Sequence, residues 1–149
     1  EFRRVLFRSD WYRAEKITKD TLSHRLFELQ SAFEKNYSDL TIMHNENNSV
    51  FFLGAVDSTK RYFARVYWNR FTHETHLDIQ NLTEAPTGKQ FQLWAIAENQ
   101  PVDAGTITLR DDRTLLSMKS ITQAEKWAMT LEPEGGSLAP DSVMWLASH

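Results

Sequence analysis

The stretch from Gly88 to Gly105 constrains the fold of this chain more than any other. It reads Gly-Lys-Gln-Phe-Gln-Leu-Trp-Ala-Ile, then Ala-Glu-Asn-Gln-Pro-Val-Asp-Ala-Gly. Gly88 marks a turn, Phe91 to Ile96 an apolar-rich strand, Glu98 to Pro101 a tight polar turn, and Val102 the start of a second strand. Strand-forming runs bounded by turn formers specify a β-hairpin. Side chains alternate across a strand, so Phe91, Leu93 and Ala95 share one face, Trp94 and Ile96 the other. A strand apolar on both faces is covered on both sides, which predicts a place in the middle of the sheet. Asp103, just after Pro101-Val102, is read as bonding backbone in the turn.

Around this hairpin the chain from Leu40 onward breaks into short β runs with polar punctuation. Thr41–Met43 reads as a strand, His44–Ser49 as a turn cluster, and Val50–Val56 as a buried strand apolar on both faces. Asp57–Lys60 turns the chain. Arg61–Trp68 then alternates, with Ala64, Val66 and Trp68 on one side, and Tyr67 opposite them is the aromatic expected to be exposed. Asn69–Thr72 is a turn, Thr75–Leu82 a strand with Leu77 and Ile79 inward and His76, Asp78 and Gln80 outward, and Glu84–Lys89 a loop. Thr106–Leu109 continues the hairpin, Asp111–Arg113 turns, and Thr114–Met118 is a strand. Thr122 with Glu125 three residues on suggests one capped helical turn over Thr122–Lys126. Trp127–Glu132, a Gly-Gly loop over Pro133–Pro140, and Val143–Ala147 complete the pattern. Eight or nine short strands without βαβ alternation predict an all-β, antiparallel β-sandwich.

Before the strands, Asp10 to about Ser38 reads as one long amphipathic helix, an N-terminal segment of residues 10–39 ahead of a β domain of 40–149. Leu22, Leu26, Leu29, Phe33, Tyr37 and Leu40 lay an apolar stripe on one face, and Lys19, Asp20, Arg25, Glu28 and Glu34 lie opposite. Asp10 is placed to cap its start. The stripe can dock on the β domain or pair weakly with a second copy as a homodimer. Val5-Leu6-Phe7-Arg8-Ser9 is encodable by the end of a common sequencing adapter, so residues 1–9 are expected to be a read-through artefact. The alternative is a basic juxtamembrane segment built on Arg3, Arg4 and Arg8.

Composition excludes several function classes. With 17 basic residues scattered among 20 acidic ones and a net charge of −3, the chain lacks the basic stripe that a nucleic-acid partner demands. There is no Cys, hence no disulfide, no Cys-ligated zinc and no thiol catalysis. No run of 18 apolar residues exists, so an anchor, if the protein has one, lies outside these residues.

Polar residues group without forming a reactive constellation. His73 and His76, three apart at a strand start, face opposite ways and make poor joint ligands. Asp111 with Asp112, and Glu132 with Glu134, read as solvated turn carboxylates rather than an acid/base pair. Ser137 lacks a nucleophile elbow, and Gly135-Gly136 is a hairpin turn requiring positive φ. No catalytic, cofactor-binding or metal-binding residue is assigned. Trp68, Trp94, Trp127 and Trp145 fall in strands and are read mainly as core. An exposed aromatic strip would instead indicate a carbohydrate- or peptide-binding module.

Three ordered stretches carry a family resemblance. Gly88–Ile96 followed by Pro101–Gly105 resembles the signature hairpin of the C-terminal domain of anti-sigma-K factors (the RskA type). Trp127–Ser137 is similar to that family's Phe-Ala-Val-Thr-Leu-Glu strand and Gly-Gly-Ser turn, and Arg65–Asn69 to its first long strand. The motif residues are Gly88, Gln92, Leu93, Trp94, Pro101, Val102, Asp103, Gly105, Thr130, Leu131, Glu132, Gly135 and Gly136. Met129 stands where the family has a smaller residue, and Leu138-Ala139-Pro140 delays the family's proline. The resemblance covers about Val50 to Ala147. It implies a non-enzymatic, extracytoplasmic domain of a single-pass membrane protein of the cell inner membrane, exposed to the periplasm or its equivalent. A cytoplasmic domain with a Cys/His motif, absent from these residues, would hold an extracytoplasmic-function (ECF) sigma factor. Membrane-associated proteases would release that sigma factor on a signal. The helix would occupy the juxtamembrane position.

Overall fold

The computed structural model describes residues 2–57, 59–109, 115–140 and 144–148, with side chains from Trp11 onward except at 144–146. The chain divides into two compact units, Glu1–Thr41 and Ile42–His149. The first is helical. Helix α1 spans Phe2–Met43, longer at both ends than the 10–39 read from periodicity. Asp10 therefore lies inside α1 and does not cap it, and Thr41–Met43, expected to be a strand, is its last turn. The helix stops where Asn45 and Asn48 take over: the N–H of Asn45 and the side-chain amide of Asn48 both donate to the Ile42 carbonyl, at 3.3 and 2.7 Å. Polar side chains satisfying the last orphan carbonyls are what a helix C-terminus requires.

The second unit contains eight strands: β1 (Asn48–Ala55), β2 (Phe63–Asn69), β3 (Thr75–Asn81), β4 (Lys89–Ala97), β5 (Gln100–Ile107), β6 (Leu115–Ser117), β7 (Lys126–Pro133) and β8 (Met144–Ser148). Among the described residues they form one antiparallel sheet in the order β5-β4-β7-β8-β1-β2-β3-β6. The fold is thus mostly β, but the two separate sheets of a sandwich are not what this order shows. Instead the single sheet curls until its ends meet across one segment. After β6, Met118 N–H donates to Thr75 O and Ile121 N–H to His73 O on the β3 side. Between them, Lys119 N–H donates to Ala104 O of β5, the opposite edge. Curling lets one core serve every strand: Trp68 of β2 and Trp127 of β7 meet at 6.5 Å, and Phe91, Leu93 and Leu53 are buried around them. The Trp68 indole N–H is satisfied by Ile121 O at 2.7 Å, so the segment joining the edges is also anchored from inside.

Several expectations change for physical reasons. β4 lies second from an edge rather than in the middle, because the hairpin partner β5 is itself the edge. β1 is not buried on both faces: Leu53 points into the core while Val50 and Phe52 are 40% and 58% exposed. Tyr67 is buried, not exposed, because its cross-strand neighbours Val50 and His76 flank it on the outer face. Asp78, expected outward in solvent, is buried on that face beside Arg65, whose Nη1 lies 3.7 Å from its Oδ2. Thr122–Glu125 is not helical. It bends at Thr122 and Glu125 and is tied to the end of β4, where Glu125 N–H donates to Ile96 O at 2.7 Å. The turn at Asp111–Arg113, the strand starts at Thr114 and Val143, and the side chain of Trp145 lie outside the described residues.

Candidate functional site

The hairpin turn is tighter than the sequence suggested. β4 and β5 are joined by Glu98 and Asn99 alone, with φ of 52° and 60°. Two successive left-handed residues make the type I′ geometry that matches strand twist. Glu125 holds this tip a second time, its carboxylate accepting from Glu98 N–H at 3.2 Å. Further along, the β4–β5 register shifts between Leu93, opposite Gly105, and Trp94, opposite Asp103. The bulge leaves Ala104 unmatched and needs the φ of 113° that Gly105 supplies.

On the face of β4 away from the core, the alternate residues Gln90, Gln92 and Trp94 lie beside Glu132, Thr130 and Ala128 of β7. Strands with polar residues on a buried face must satisfy them internally, and they do. The Trp94 indole donates to Thr130 Oγ1 at 2.8 Å, and that hydroxyl donates on to Glu132. Trp94, Thr130 and Glu132 are all buried, so Glu132 is not the solvated turn carboxylate expected.

Two glutamines then clamp the β7–β8 loop onto this face. Gln92 Nε2 donates to Ser137 O at 3.1 Å while its Oε1 accepts from Ser137 N–H at 2.8 Å, a side-chain amide copying a strand pairing. Gln90 Oε1 accepts from Gly135 N–H at 3.1 Å, and its Nε2 donates to Thr108 Oγ1 at 3.2 Å. Gly136, between the two grips, has φ of 87°; a Cβ there would lie 2.8 Å from Gln92 Oε1 and 2.7 Å from Thr106 Cγ2. Only glycine fits so close an approach at that φ. Gly88 (φ 75°) closes the loop's other side, its carbonyl accepting from Glu134 N–H at 3.0 Å.

Asp103 ties the hairpin to this clamp and to the segment joining the sheet edges. Its Oδ1 accepts from Gln92 Nε2 and from Gly105 N–H, both at 2.8 Å, and its Oδ2 pairs with the Lys119 ammonium. Partial burial pushes the carboxyl upward, but hydrogen bonds from Lys119, Gln92 and Gly105 and the Lys119 charge outweigh it, holding Asp103 below the usual carboxylate range. A carboxylate with three donors and a lowered pKa is a poor general base. A shallow recess of about 250 Å³, lined by Gln92, Asp103, Lys119 and Gly135–Leu138, sits beside it.

Of the motif residues, the structure thus brings Gln92, Asp103, Gly105 and Gly136 into direct contact, with Gly135 held beside them by Gln90 and Trp94, Thr130 and Glu132 forming the adjoining buried chain. Leu93 and Leu131 face the core instead, Pro101 pairs with Ile96, and Val102 is 41% exposed on the edge strand. The set missed from sequence is Gln90, Lys119 and Ser137. Gln90 had a visible signal, a long amide two residues before Gln92 and hence on its face; Lys119 had none. Among the described residues, no group of three or more His, Cys, Asp or Glu could hold a metal ion.

The model of the anti-sigma-K factor rskA C-terminal family matches residues 22–143, which include every part of this network. The chain belongs to this anti-sigma-K factor family. No curated protein and no solved structure matches it. The match begins within α1, before the Val50 from which the resemblance was read, so the second half of the helix falls within the matched length. Anti-sigma factors are regulatory proteins whose general partner is a sigma factor and whose output is control of transcription. The polar groups of the clamp are spent on each other, fixing a loop and closing a sheet. Among the described residues, no helix is long and apolar enough to cross a membrane.

Proposed function

We propose that this chain is the extracytoplasmic domain of a membrane-anchored anti-sigma factor, which controls ECF sigma-factor-dependent transcription by restricting proteolytic access to the protein until a signal arrives. Family membership across residues 22–143 carries the reading. The internally satisfied clamp supports it, because a domain that works by being folded needs cooperative closure rather than a reactive pocket. In this account the folded sheet denies membrane-associated proteases the neighbouring chain, and loosening the sheet permits the cut that frees the sigma factor. The test is a reporter of sigma-dependent transcription in cells carrying Trp94→Ala in the full-length protein. Removing a fully buried Trp costs about 3–5 kcal/mol and is expected to raise reporter output at matched protein level. Unchanged output would remove the support for folding as the gate.

One observation favours a second reading, a carbohydrate- or peptide-binding module. On the outer face of β1 and β2, Phe52 and Phe63 stack at 6.1 Å with the Arg65 guanidinium 5.4–5.9 Å from both rings, and Phe52 is 58% exposed. Glycan-array or peptide-array binding abolished by Phe52→Ala would favour it.

A further inference from the structure

The seam residues of α1 stand in solvent: Leu22, Leu26, Leu29, Phe33 and Leu40 are 53–70% exposed. Long helices draw most of their stability from packing an apolar face, so this face calls for a partner. Its spacing says which. Leu22, Leu26, Leu29, Phe33 and Leu40 fall on the a and d positions of one heptad frame, whose remaining d position holds Asn36, with Tyr37 beside it at e. That is the repeat of a left-handed coiled coil, whose knobs fit the holes of a helix with the same repeat. With Leu26 and Phe33 at position a, the outward positions carry His24, Glu28, Ser31, Glu34, Lys35 and Ser38, Phe27 being the exception. Two of these, His24 and Glu28, face each other at 3.5 Å along the outer side.

We propose that α1 pairs with α1 of a second copy of this chain as a parallel, in-register, two-stranded coiled coil. Asn36 selects the orientation. In register it meets the partner's Asn36, and each amide finds a donor and an acceptor, while every other layer is Leu on Leu or Phe on Phe. An antiparallel pair aligned with Leu26 opposite Leu29 sets Asn36 against Lys19 and Leu40 against Glu15. Sliding it to put Leu29 opposite Phe33 buries Asn36 against Leu26. A buried amide facing leucine is unsatisfied and costly, and a polar seam residue fixes register for this reason. The flanks agree between Leu22 and Leu40: parallel pairing sets Arg25 beside Gln30 and Ala32 beside Tyr37, and the seam ends before Lys19, which would otherwise meet its own copy.

The chain has no cysteine, so single-cysteine variants report geometry cleanly. Sedimentation equilibrium of the whole chain is expected to show reversible dimerisation of the 17.4 kDa monomer between about 1 and 100 µM. A Leu26→Glu/Leu29→Glu variant is expected to associate at least tenfold more weakly, with the near-UV spectrum of the sheet unchanged. Under mild oxidation Leu29→Cys is expected to form covalent dimer at least tenfold faster than outward-facing Ser31→Cys. A monomer throughout the range, a double variant that dimerises as tightly as the parent, or equal cross-linking at both positions would overturn the proposal. Preferential cross-linking between Leu22→Cys and Leu40→Cys chains would overturn the parallel orientation.

Discussion

Gln92→Ala tests whether the loop clamp holds the sheet domain together. The substitution removes two hydrogen bonds to Ser137 and one to Asp103. A net hydrogen bond contributes about 1 kcal/mol, and one to a carboxylate about 1.5–3. The lower figure applies at Asp103, whose side chain is about a third exposed. Ser137 is half-buried and partly recovers water, while a buried methylene is also lost at about 0.8 kcal/mol. The sum is about 3 kcal/mol. For a unit of this size each kcal/mol shifts Tm by about 4 °C, so Gln92→Ala is expected to melt about 12 °C lower by far-UV circular dichroism. Exposed Gln123→Ala serves as the control and is expected to move Tm by less than about 2 °C. A shift below about 3 °C for Gln92→Ala would refute the clamp as a stabilising device.

Other outcomes follow from the same geometry. Gly136→Ala drives a Cβ into Gln92 and Thr106 at a positive φ and is expected to cost about 2–4 kcal/mol in urea unfolding, whereas Gly135→Ala, with open space at its Cβ, is expected to cost only about 1–2. Asp103 has a folded pKa below its unfolded value near 3.8, so its contribution is complete above that pH and fades as pH falls through the lower folded value; Asp103→Asn is expected to flatten the stability loss below about pH 4 in acid titration followed by fluorescence. Glu125→Ala strips the second hold on the hairpin tip and is expected to raise amide hydrogen exchange at Glu98 and its neighbours, with Tm falling by about 4 °C.

Local chemistry in this sequence was readable, and long-range closure was not. Alternation assigned the faces of β4, because side chains on a strand follow a period of two, and Trp94 and Trp127, read as core from their size, are both buried. Periodicity says nothing about which strand lies beside which, so the run of short strands fits a sandwich and a single curled sheet equally well. The joining step depends on Lys119 N–H reaching Ala104 O, a backbone bond that leaves no mark on residue type. Thr122 and Glu125 matched a helix start by spacing, yet Glu125 was committed to Glu98 27 positions away, and tertiary demand overrode the local signal. Glu132 looked solvated because it adjoins a Pro-Gly turn, but its strand face was already closed by Trp94 and Thr130. Motif residues were visible as a family resemblance; that Gln92, Asp103, Gly105 and Gly136 meet at one place needed the fold.

Co-purification tests most directly whether this chain is the outward part of a sigma-factor antagonist, as proposed. Full-length protein from the source locus, tagged and extracted in detergent, is expected to carry a sigma factor encoded beside it, and to lose it after proteolysis of the membrane-proximal region. A full-length protein that retains no sigma factor before proteolysis would contradict the account.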